Sequence, residues 1–392
     1  MTFIPEFSYP VITLLSISAL CAAIILAFYD PFVRRVYRRS RACRLTVDRP
    51  AGEEPKWAAV SVIIYARGES DRLETLLPAV LTQQYEGPFE VIVVNEGDSS
   101  DVRNVISALQ LANRNLYLTF TPDGARNLSR KKLALTLGIK AARYPVVVQT
   151  TADAVILSDR WLTKIMRHFG NPETGIVIGY AAPSQESLPD RIKTFDFADD
   201  STSWLAADTG RRPFRGSELN LAYRRDLFFG NKGFSRSLNL HFGDDDIFIS
   251  EIATSRNTVV ELSPESIIRF SSYDMPSTLR DIAARHIFTK RFIPRKPLPR
   301  LAIGECALWI LLLSATAAVL ADYHNIATIV IAALLLTGPL VDMALAWRKT
   351  TAALDLRRLT LTIPWFVLIH PFRRITLSFY ANISKQKKYT WD

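Results

Sequence analysis

An α/β fold built on a mostly parallel, doubly wound sheet is the architecture that this sequence predicts. Three observations carry that reading. Between residues 58 and 154, short β-branched runs alternate strictly with segments whose apolar residues recur at helical spacing. Each run stops at a cluster of polar residues, as strands do where an open sheet reaches its ligand-binding edge. Long apolar runs stand outside this region, so the mixed centre reads as one large domain.

Taken in order, Ala58 to Tyr65 is a strand, and Leu73, Leu76, Leu77, Val80 and Leu81 mark the helix after it. Glu90 to Val94 is a second strand, with Val102, Val105, Ile106 and Leu109 on the following helix. Leu116 to Phe120, a helix holding Leu133 to Ala142, and Val146 to Thr151 complete the series. Such alternation implies parallel strands joined by right-handed crossovers. The first strand ends in Ala66-Arg67-Gly68-Glu69 and the second in Asn95-Glu96-Gly97-Asp98-Ser99-Ser100-Asp101. Gly97 supplies a turn, and Ser100 or Asp101 can cap a helix. Asn95 and Glu96 at a strand edge can accept hydrogen bonds from a nucleobase or ribose. Lys131 and Lys132 open the third helix and can face a diphosphate or simply be solvated.

The fourth strand, Val146-Val147-Val148-Gln149-Thr150-Thr151, breaks off at Ala152-Asp153, and Ser158 or Asp159 caps a helix beyond. A carboxylate delivered to that edge can hold a divalent cation against substrate phosphates. A turn residue after a strand would look the same, and the residues around Asp153 favour the cation.

The chain of 392 residues carries a formal net charge of +10, and its cations flank apolar segments, which points to a membrane surface and away from nucleic acid. Cys21, Cys43 and Cys306 are scattered, forming neither a disulfide framework nor a metal pattern. Pro10 to Tyr29 is long enough to cross a bilayer, and Arg34, Arg35, Arg38, Arg39, Arg41 and Arg44 follow it. The positive-inside tendency places residues 1–9 outside and the central domain in the cytoplasm. A cleaved signal peptide fits less well, because no basic residue precedes the apolar core.

Val60-Ser61-Val62-Ile63-Ile64-Tyr65-Ala66-Arg67-Gly68-Glu69, Val91-Ile92-Val93-Val94-Asn95-Glu96-Gly97-Asp98-Ser99 and Lys131-Lys132-Leu133-Ala134-Leu135 resemble the nucleotide half of glycosyltransferase family 2. That family has a GT-A fold and takes sugars from nucleotide-diphosphate donors with a divalent cation, Mg2+ or Mn2+. The resemblance implies donor contacts from Ala66, Arg67, Glu69, Asn95, Glu96, Lys131, Lys132, Thr151, Asp153 and Arg285, with Glu96 on the base and Asp153 on the metal. The family's fourth strand usually ends Thr-Asp-Ala-Asp, whereas this chain has Thr150-Thr151-Ala152-Asp153, one acid fewer.

Gly216-Ser217-Glu218-Leu219-Asn220-Leu221-Ala222-Tyr223-Arg224-Arg225 resembles the family's Gly-x-Asn-x-Ala-Tyr-Arg-Arg segment, and His241-Phe242-Gly243-Asp244-Asp245-Asp246 comes after it. Three adjacent carboxylates are costly unless they bind a cation or abstract a proton, while helix capping needs one. The resemblance implies Asp244 as catalytic base, Asp245 close behind, and acceptor contacts from Gly216, Asn220 and Asp246. His241 reads as structural. Ile282-Ala283-Ala284-Arg285-His286 falls where processive members carry Gln-x-x-Arg-Trp; Arg285 alone remains, which argues against a long polymer.

Ala302 to Leu320 and Ile326 to Trp347 are each long enough to span, with Glu305 and Asp342 near helix ends where an interface can solvate them. The expected organisation is therefore a transmembrane helix at 10–29, a basic juxtamembrane linker at 30–57 and a GT-A domain at 58–274. Residues 58–154 form its nucleotide-binding half and 155–274 its acceptor half. An amphipathic interfacial segment at 275–300 leads to the helices at 302–320 and 326–347, a re-entrant or interfacial helix at 359–372, and a basic cytoplasmic tail at 373–392. The function expected is an inverting, non-processive, multi-pass glycosyltransferase of the inner membrane. It would move sugar from a nucleotide-diphosphate donor to a lipid-linked or glycan acceptor, in cell-envelope polysaccharide or glycolipid synthesis. A degenerate subunit that binds nucleotide sugar without turnover is the alternative, motivated by Thr151 and the eroded 282–286 segment. A transporter fits poorly, with no inverted repeat in view.

Overall fold

A 37-residue helical run from Tyr9 to Leu45 opens the chain, followed by the alternating elements that the apolar spacing predicts. The computed structural model describes residues 7–48, 56–121, 128–184, 190–210, 212–294, 298–357 and 359–383. The first run consists of α1 (Tyr9–Ile24), a wider turn at Ile25–Tyr29, and α2 (Asp30–Leu45). Residues 30–45 are thus helix where a linker is expected, because arginine is a good helix former and no Gly or Pro interrupts 32–45.

The elements that follow are β1 (Val60–Ala66), α3 (Ser70–Leu81), β2 (Phe89–Asn95), α4 (Ser100–Gln110), β3 (Leu116–Phe120), α5 (Arg130–Ala141) and β4 (Val146–Thr151). Each lies within a few residues of its predicted place. Next come β5 (Ala154–Val155), α6 (Trp161–Met166), β6 (Ile176–Ile178), β7 (Ala181–Pro183), α7 (Arg191–Thr209), β8 (Leu221–Arg224), α8 (Arg225–Gly230), α9 (Ile247–Ile252), β9 (Thr258–Val260), β10 (Ile268–Phe270) and α10 (Met275–Thr289). The chain then enters α11 (Arg300–Ala321), α12 (Ile326–Ala353) and α13 (Ile363–Ile383).

The chain divides into two compact units. One, made of residues 38–189, 207–297 and 377–392, holds the sheets. Its main sheet runs β3-β2-β1-β4-β8-β6-β9, with β3, β2, β1 and β4 parallel and β8 antiparallel to both neighbours. A smaller sheet runs β5-β10-β7. The order reverses between β1 and β4, and the carboxyl ends of strands at such a switch point are where α/β sheets bind ligands. Tyr65 pairs with Thr151 in the register, so the loops after β1 and β4 lie side by side. All of β4 is buried, as its unbroken β-branched run requires for a strand covered on both faces.

Helix α5 packs close to the sheet at Gly138. A Cβ there would lie 2.8 Å from Ile63 Cγ2 and from Val94 Cγ2. This approach fixes the height of the helix whose first turn carries Lys131.

The other unit comprises residues 1–37, 190–206 and 298–376. The run Tyr9–Leu45 and helices α11 and α12 are long and apolar enough to cross a membrane. They meet through small residues and buried polar pairs, as membrane helices do. Ser18 Oγ lies 2.7 Å from Ser314 Oγ, and Trp347 Nε1 donates to Tyr29 Oη at 2.9 Å. Glu305, placed at a solvating interface by sequence, is instead buried with His370 Nδ1 at 2.8 Å and Arg374 at 3.2 Å. The predicted 359–372 segment belongs to a longer helix, α13, that continues past Pro371 and takes in Arg373 and Arg374. Both arginines are engaged, by Asp196 and by Asp199 with Glu305, so they belong to a packed helix and not to a free tail. Residues 384–392, the rest of that tail, lie outside the described residues.

The Gly138 contact yields the first testable expectation. Gly138→Val should destabilise the fold by about 1–3 kcal/mol, because β1 and β2 cannot yield to the added methyls without shifting α5. Urea unfolding of the detergent-purified protein checks it, and an unchanged midpoint would refute this packing.

Candidate active site

The carboxyl edge of the sheet brings the two halves of the site together. After β1 and β2 the chain turns at Gly68 and Gly97, both with positive φ, a conformation that glycine adopts without strain. Asn95 is buried between those turns. Gly68 N donates to its Oδ1 at 2.9 Å, and its Nδ2 donates to Gly97 O at 2.8 Å. Asn95 therefore holds the loops together, with its amide oxygen and nitrogen each in one hydrogen bond to a turn. Glu96 accepts from Tyr65 Oη and lies 3.5 Å from Arg130. Ala66 ends β1 in the core, Arg67 is exposed, and Glu69 accepts from Arg67 N.

At the end of β4, the Oγ1 atoms of Thr150 and Thr151 are buried without a hydrogen-bond partner. Asp153, two residues on, is exposed and ion-paired with Arg72. The sequence places it inside a crevice, and the structure sets it at the open rim, because the chain turns outward into β5.

Lys131 and Lys132 part company. Ser129 caps α5 and fixes the first turn, with Lys132 N donating to its Oγ at 3.4 Å. From there Lys131 Nζ reaches Asp244 at 2.9 Å and also pairs with Glu218. Lys132 lies on the buried face and donates to Ser237 O at 2.5 Å, Ser237 Oγ at 3.0 Å, Phe242 O at 2.7 Å and Leu240 O at 3.2 Å. It holds the loop before the acidic cluster and does not face a diphosphate.

That cluster starts at Gly243, with φ +108, where a Cβ would meet Ile247 Cδ1 at 2.6 Å. Asp244 is buried beside Lys131, with Gln149 Nε2 at 3.4 Å. Burial raises its pKa, and Asp245 and Glu218 add to that against Lys131. Asp245 lies 3.6 Å from His286 Nε2. Burial pushes its carboxyl up, but the His286 contact, Lys131 and Arg215 together hold it well below the usual range. Asp246 caps α9, accepting from Ile247 N at 2.6 Å and from Thr289 Oγ1. Burial and the neighbouring Asp245 push it up to about 6. Asp246 is therefore the helix cap, with both of its carboxylate oxygens hydrogen-bonded.

Glu218 and His286, which sequence reasoning did not place in the site, complete it. Glu218 joins Lys131 to Arg285, whose Nη2 lies 3.3 Å away and whose guanidinium sits 4.6 Å over the Phe242 ring. Burial opposes ionisation of Glu218, but Lys131 and Arg285 outweigh it and hold the carboxyl down at about 2. Glu218, Phe242, Asp244, Asp245, Arg285 and His286 line one cavity, together with Asp246 and Thr289. The signal for Glu218 lay inside the matched 216–225 segment, and that for His286 next to Arg285. Gly216 N donates to Asp245 O at 2.8 Å and so places the acidic loop. Asn220 is structural: its Nδ2 donates to Tyr180 O and Ser266 O, and its Oδ1 accepts from Trp161 Nε1. Asp245, Asp246 and His286 offer ligand-type atoms within 4.8 Å of one another, but both Asp246 oxygens are already hydrogen-bonded.

Residues 61–238 match the model for glycosyl transferase family 2. That stretch of the central domain is similar to the family. Over 177 residues it is 25% identical to poly-beta-1,6-N-acetyl-D-glucosamine synthase of Staphylococcus aureus (strain MSSA476), covering 45% of this chain and 40% of that protein. The Staphylococcus epidermidis synthase is 26% identical over 147 residues, 37% of this chain and 34% of that one. The match thus spans less than half the length of these relatives. Mannosyltransferase PcManGT from Pyrobaculum calidifontis, solved in complex with GDP-Man and Mn2+, superposes with a TM-score of 0.51 at 19% identity, covering 92% of this chain and 99% of that one. The architecture is accordingly GT-A-like, with its mostly parallel sheet.

The two lysines separate by experiment. Lys132→Met strands three carbonyls and should cost about 2–4 kcal/mol of stability at any pH from 5 to 8. Lys131→Met leaves Asp244 without its cation, so its folded pKa rises further above the unfolded value. Stability is then present at acid pH and lost as pH rises through the folded value. Urea unfolding at pH 5 and pH 7.5 should show the Lys131→Met defect shrinking at pH 5 and the Lys132→Met defect unchanged.

Proposed function

We propose that this protein is a membrane-bound, inverting and non-processive glycosyltransferase that moves a sugar from a nucleotide-diphosphate donor to a lipid-linked or polysaccharide acceptor. Its catalytic domain faces the cytoplasm at the inner membrane, and its role lies in cell-envelope polysaccharide or glycolipid synthesis. The observation that carries this reading is the convergence of Asp244, Asp245, Glu218 and Arg285 on one cavity near the carboxyl edge of β4, with Lys131 paired to Glu218 and Asp244 behind it. Polysaccharide synthesis by the staphylococcal relatives favours a glycan acceptor containing N-acetylglucosamine. The helical runs Tyr9–Leu45, Arg300–Ala321 and Ile326–Ala353 supply the anchor, and the arginines of α2 favour the cytoplasmic side.

In this reading a base takes the proton of the acceptor hydroxyl as its oxygen attacks the anomeric carbon. Asp244 is the first expectation from sequence, but it is closed off and bound to Lys131, which restrains it from accepting a proton. Asp245 lines the same cavity, is less deeply buried and has an imidazole beside it, so it is taken as the base for its reach to the acceptor, while its low-held carboxyl makes it the weaker proton acceptor of the two. Lys131 and Arg285 offer positive charge to the leaving diphosphate, with Glu218 holding both cations in place. Glu96 at the β2 edge receives the base of the nucleotide.

A divalent cation, Mg2+ or Mn2+, fits the end of β4. Thr151, whose hydroxyl has no partner among the described residues, ends β4 two residues before Asp153, and Asp153 would hold the ion once its pair with Arg72 opens. Such an ion would neutralise charge on the departing diphosphate. With one carboxylate in reach, it should bind weakly alone and well with nucleotide diphosphate present.

Transfer is tested by incubating the detergent-purified enzyme with Mn2+ and UDP-N-acetylglucosamine, UDP-glucose or GDP-mannose and a β-1,6-linked N-acetylglucosamine oligomer. Asp245→Asn should lower transfer a hundredfold or more while nucleotide binding persists. An active Asp245→Asn beside an inactive Asp244→Asn would return the base to Asp244. Asp153→Asn should abolish Mn2+-dependent nucleotide binding by calorimetry, whereas Thr151→Ala should weaken it less than tenfold; parent-like binding by Asp153→Asn would make that residue a simple turn.

A further inference from the structure

His286 stands where processive members of the family carry tryptophan, yet it is no vacant substitution. Its Nε2 lies 3.6 Å from Asp245 Oδ2, and its Nδ1 is buried without a hydrogen-bond partner. The ring lines the same cavity as Glu218, Asp244 and Arg285. Backbone hydrogen bonding cannot easily move it, because α10 is capped by Asp274, whose Oδ1 accepts from Ser277 N at 3.1 Å, and one turn beyond His286 the helix is tied to Asp246 through Thr289. Thr289 Oγ1 also donates to Arg285 O at 3.0 Å. The helix that carries the imidazole is therefore tied to the acidic loop.

An imidazole offers one nitrogen to each of two partners. Here Nε2 lies at ion-pair distance from Asp245, and Nδ1 has no hydrogen-bond partner among the described residues. A buried polar atom left unpaired is unfavourable, and a bound hydroxyl would remove that penalty. An indole in the same place would stack on a sugar face and could offer its N–H to one partner, with no acceptor nitrogen to give.

We propose that His286 is a positioning and acceptor-binding residue of the transfer reaction: its Nε2 edge aims the Asp245 carboxylate, and its buried, unpartnered Nδ1 accepts a hydrogen bond from a hydroxyl of the sugar acceptor. This rests on the transfer reading given above. In the step it serves, the acceptor oxygen forms a bond to the anomeric carbon and its proton passes to Asp245. The bond from the anomeric carbon to the diphosphate oxygen breaks, and its electron pair leaves with the diphosphate. One ring thus sets both the base and the substrate on which the base acts. The chemistry calls for an acceptor sugar with a second hydroxyl near the attacking one, held by a polar contact.

Two substitutions separate the two edges of the ring. His286→Gln keeps a nitrogen donor at the Nε2 level facing Asp245 and lacks an acceptor at Nδ1. His286→Asn keeps an acceptor at the Nδ1 level and does not reach Asp245. Steady-state transfer from UDP-N-acetylglucosamine, UDP-glucose or GDP-mannose to the β-1,6-linked N-acetylglucosamine oligomer is measured with Mn2+. The Gln variant is expected to raise acceptor KM tenfold or more with kcat within about threefold of the parent. The Asn variant is expected to lower kcat tenfold or more with acceptor KM nearly kept, and donor KM should move in neither. Combining His286→Asn with Asp245→Asn should cost little beyond Asp245→Asn alone. Variants that lose kcat and KM together, or change melting temperature only, overturn the proposal and leave the transfer reading standing. A parent enzyme that binds these nucleotides and transfers nothing overturns the transfer reading and this inference with it.

Discussion

The Lys131 ammonium is the contact on which this site depends. The cavity holds the carboxylates of Glu218, Asp244, Asp245 and Asp246, all buried or nearly so. Four such groups cannot share a low-dielectric space as anions without cations among them. Lys131 touches two of them, Arg285 one of the same two, and His286 a third. Asp246 is stabilised by the N–H of Ile247 and the hydroxyl of Thr289. The distribution explains why the four carboxyls differ. Glu218, with two cations, and Asp245, with His286 and Lys131 near it, are held low, while Asp244 and Asp246 are pushed up by burial and by their neighbours.

Lys131 in turn is where it is because of contacts that have no chemistry of their own. Gly138 lets α5 settle on Ile63 and Val94, and Ser129 sets the start of its first turn. Lys132 then gathers Ser237, Leu240 and Phe242 beneath the acidic loop, while Gly216 holds that loop from the other side. A lysine with all its donors used by carbonyls is a structural strut, and it frees its neighbour to serve the cavity.

The parallel half of the fold was legible because β-branched runs and helical spacing are local signals, and β3 and β4 keep their predicted limits. The antiparallel insertion of β8 between β4 and β6 was not, since four-residue and three-residue strands are chosen by the sheet they complete. The acidic loop and the 216–225 segment were legible as motifs, but not the division of work inside them. Lys131 and Lys132 are adjacent in sequence and point about 100° apart on a helix, so only packing tells strut from site. Asn95, Asn220 and Asp246 belong to motifs and are consumed by the backbone groups around them. Glu218 needed Lys131 and Arg285, distant in the chain, before it could be recognised.

The same reasoning extends to the setting of α10, which carries Arg285 and His286. Asp281 accepts from Tyr380 Oη at 2.8 Å, and the Arg280 guanidinium lies 4.5 Å over the Tyr380 ring, so α10 is clasped by the last turn of α13. On the opposite flank, the chain leaving α2 is locked to the domain by buried Arg167, which donates at 2.8 Å to Cys43 O, Thr46 O, Asp48 and Glu261. A buried guanidinium with every charge answered is expensive to disturb, because removing one partner strands the rest. The sheet alone therefore does not set the register of Arg285 and His286 against Glu218 and Asp245. That register is completed by chain segments from outside the family-matched region, and a fragment confined to residues 61–238 lacks both the clasp and the two side chains that it positions.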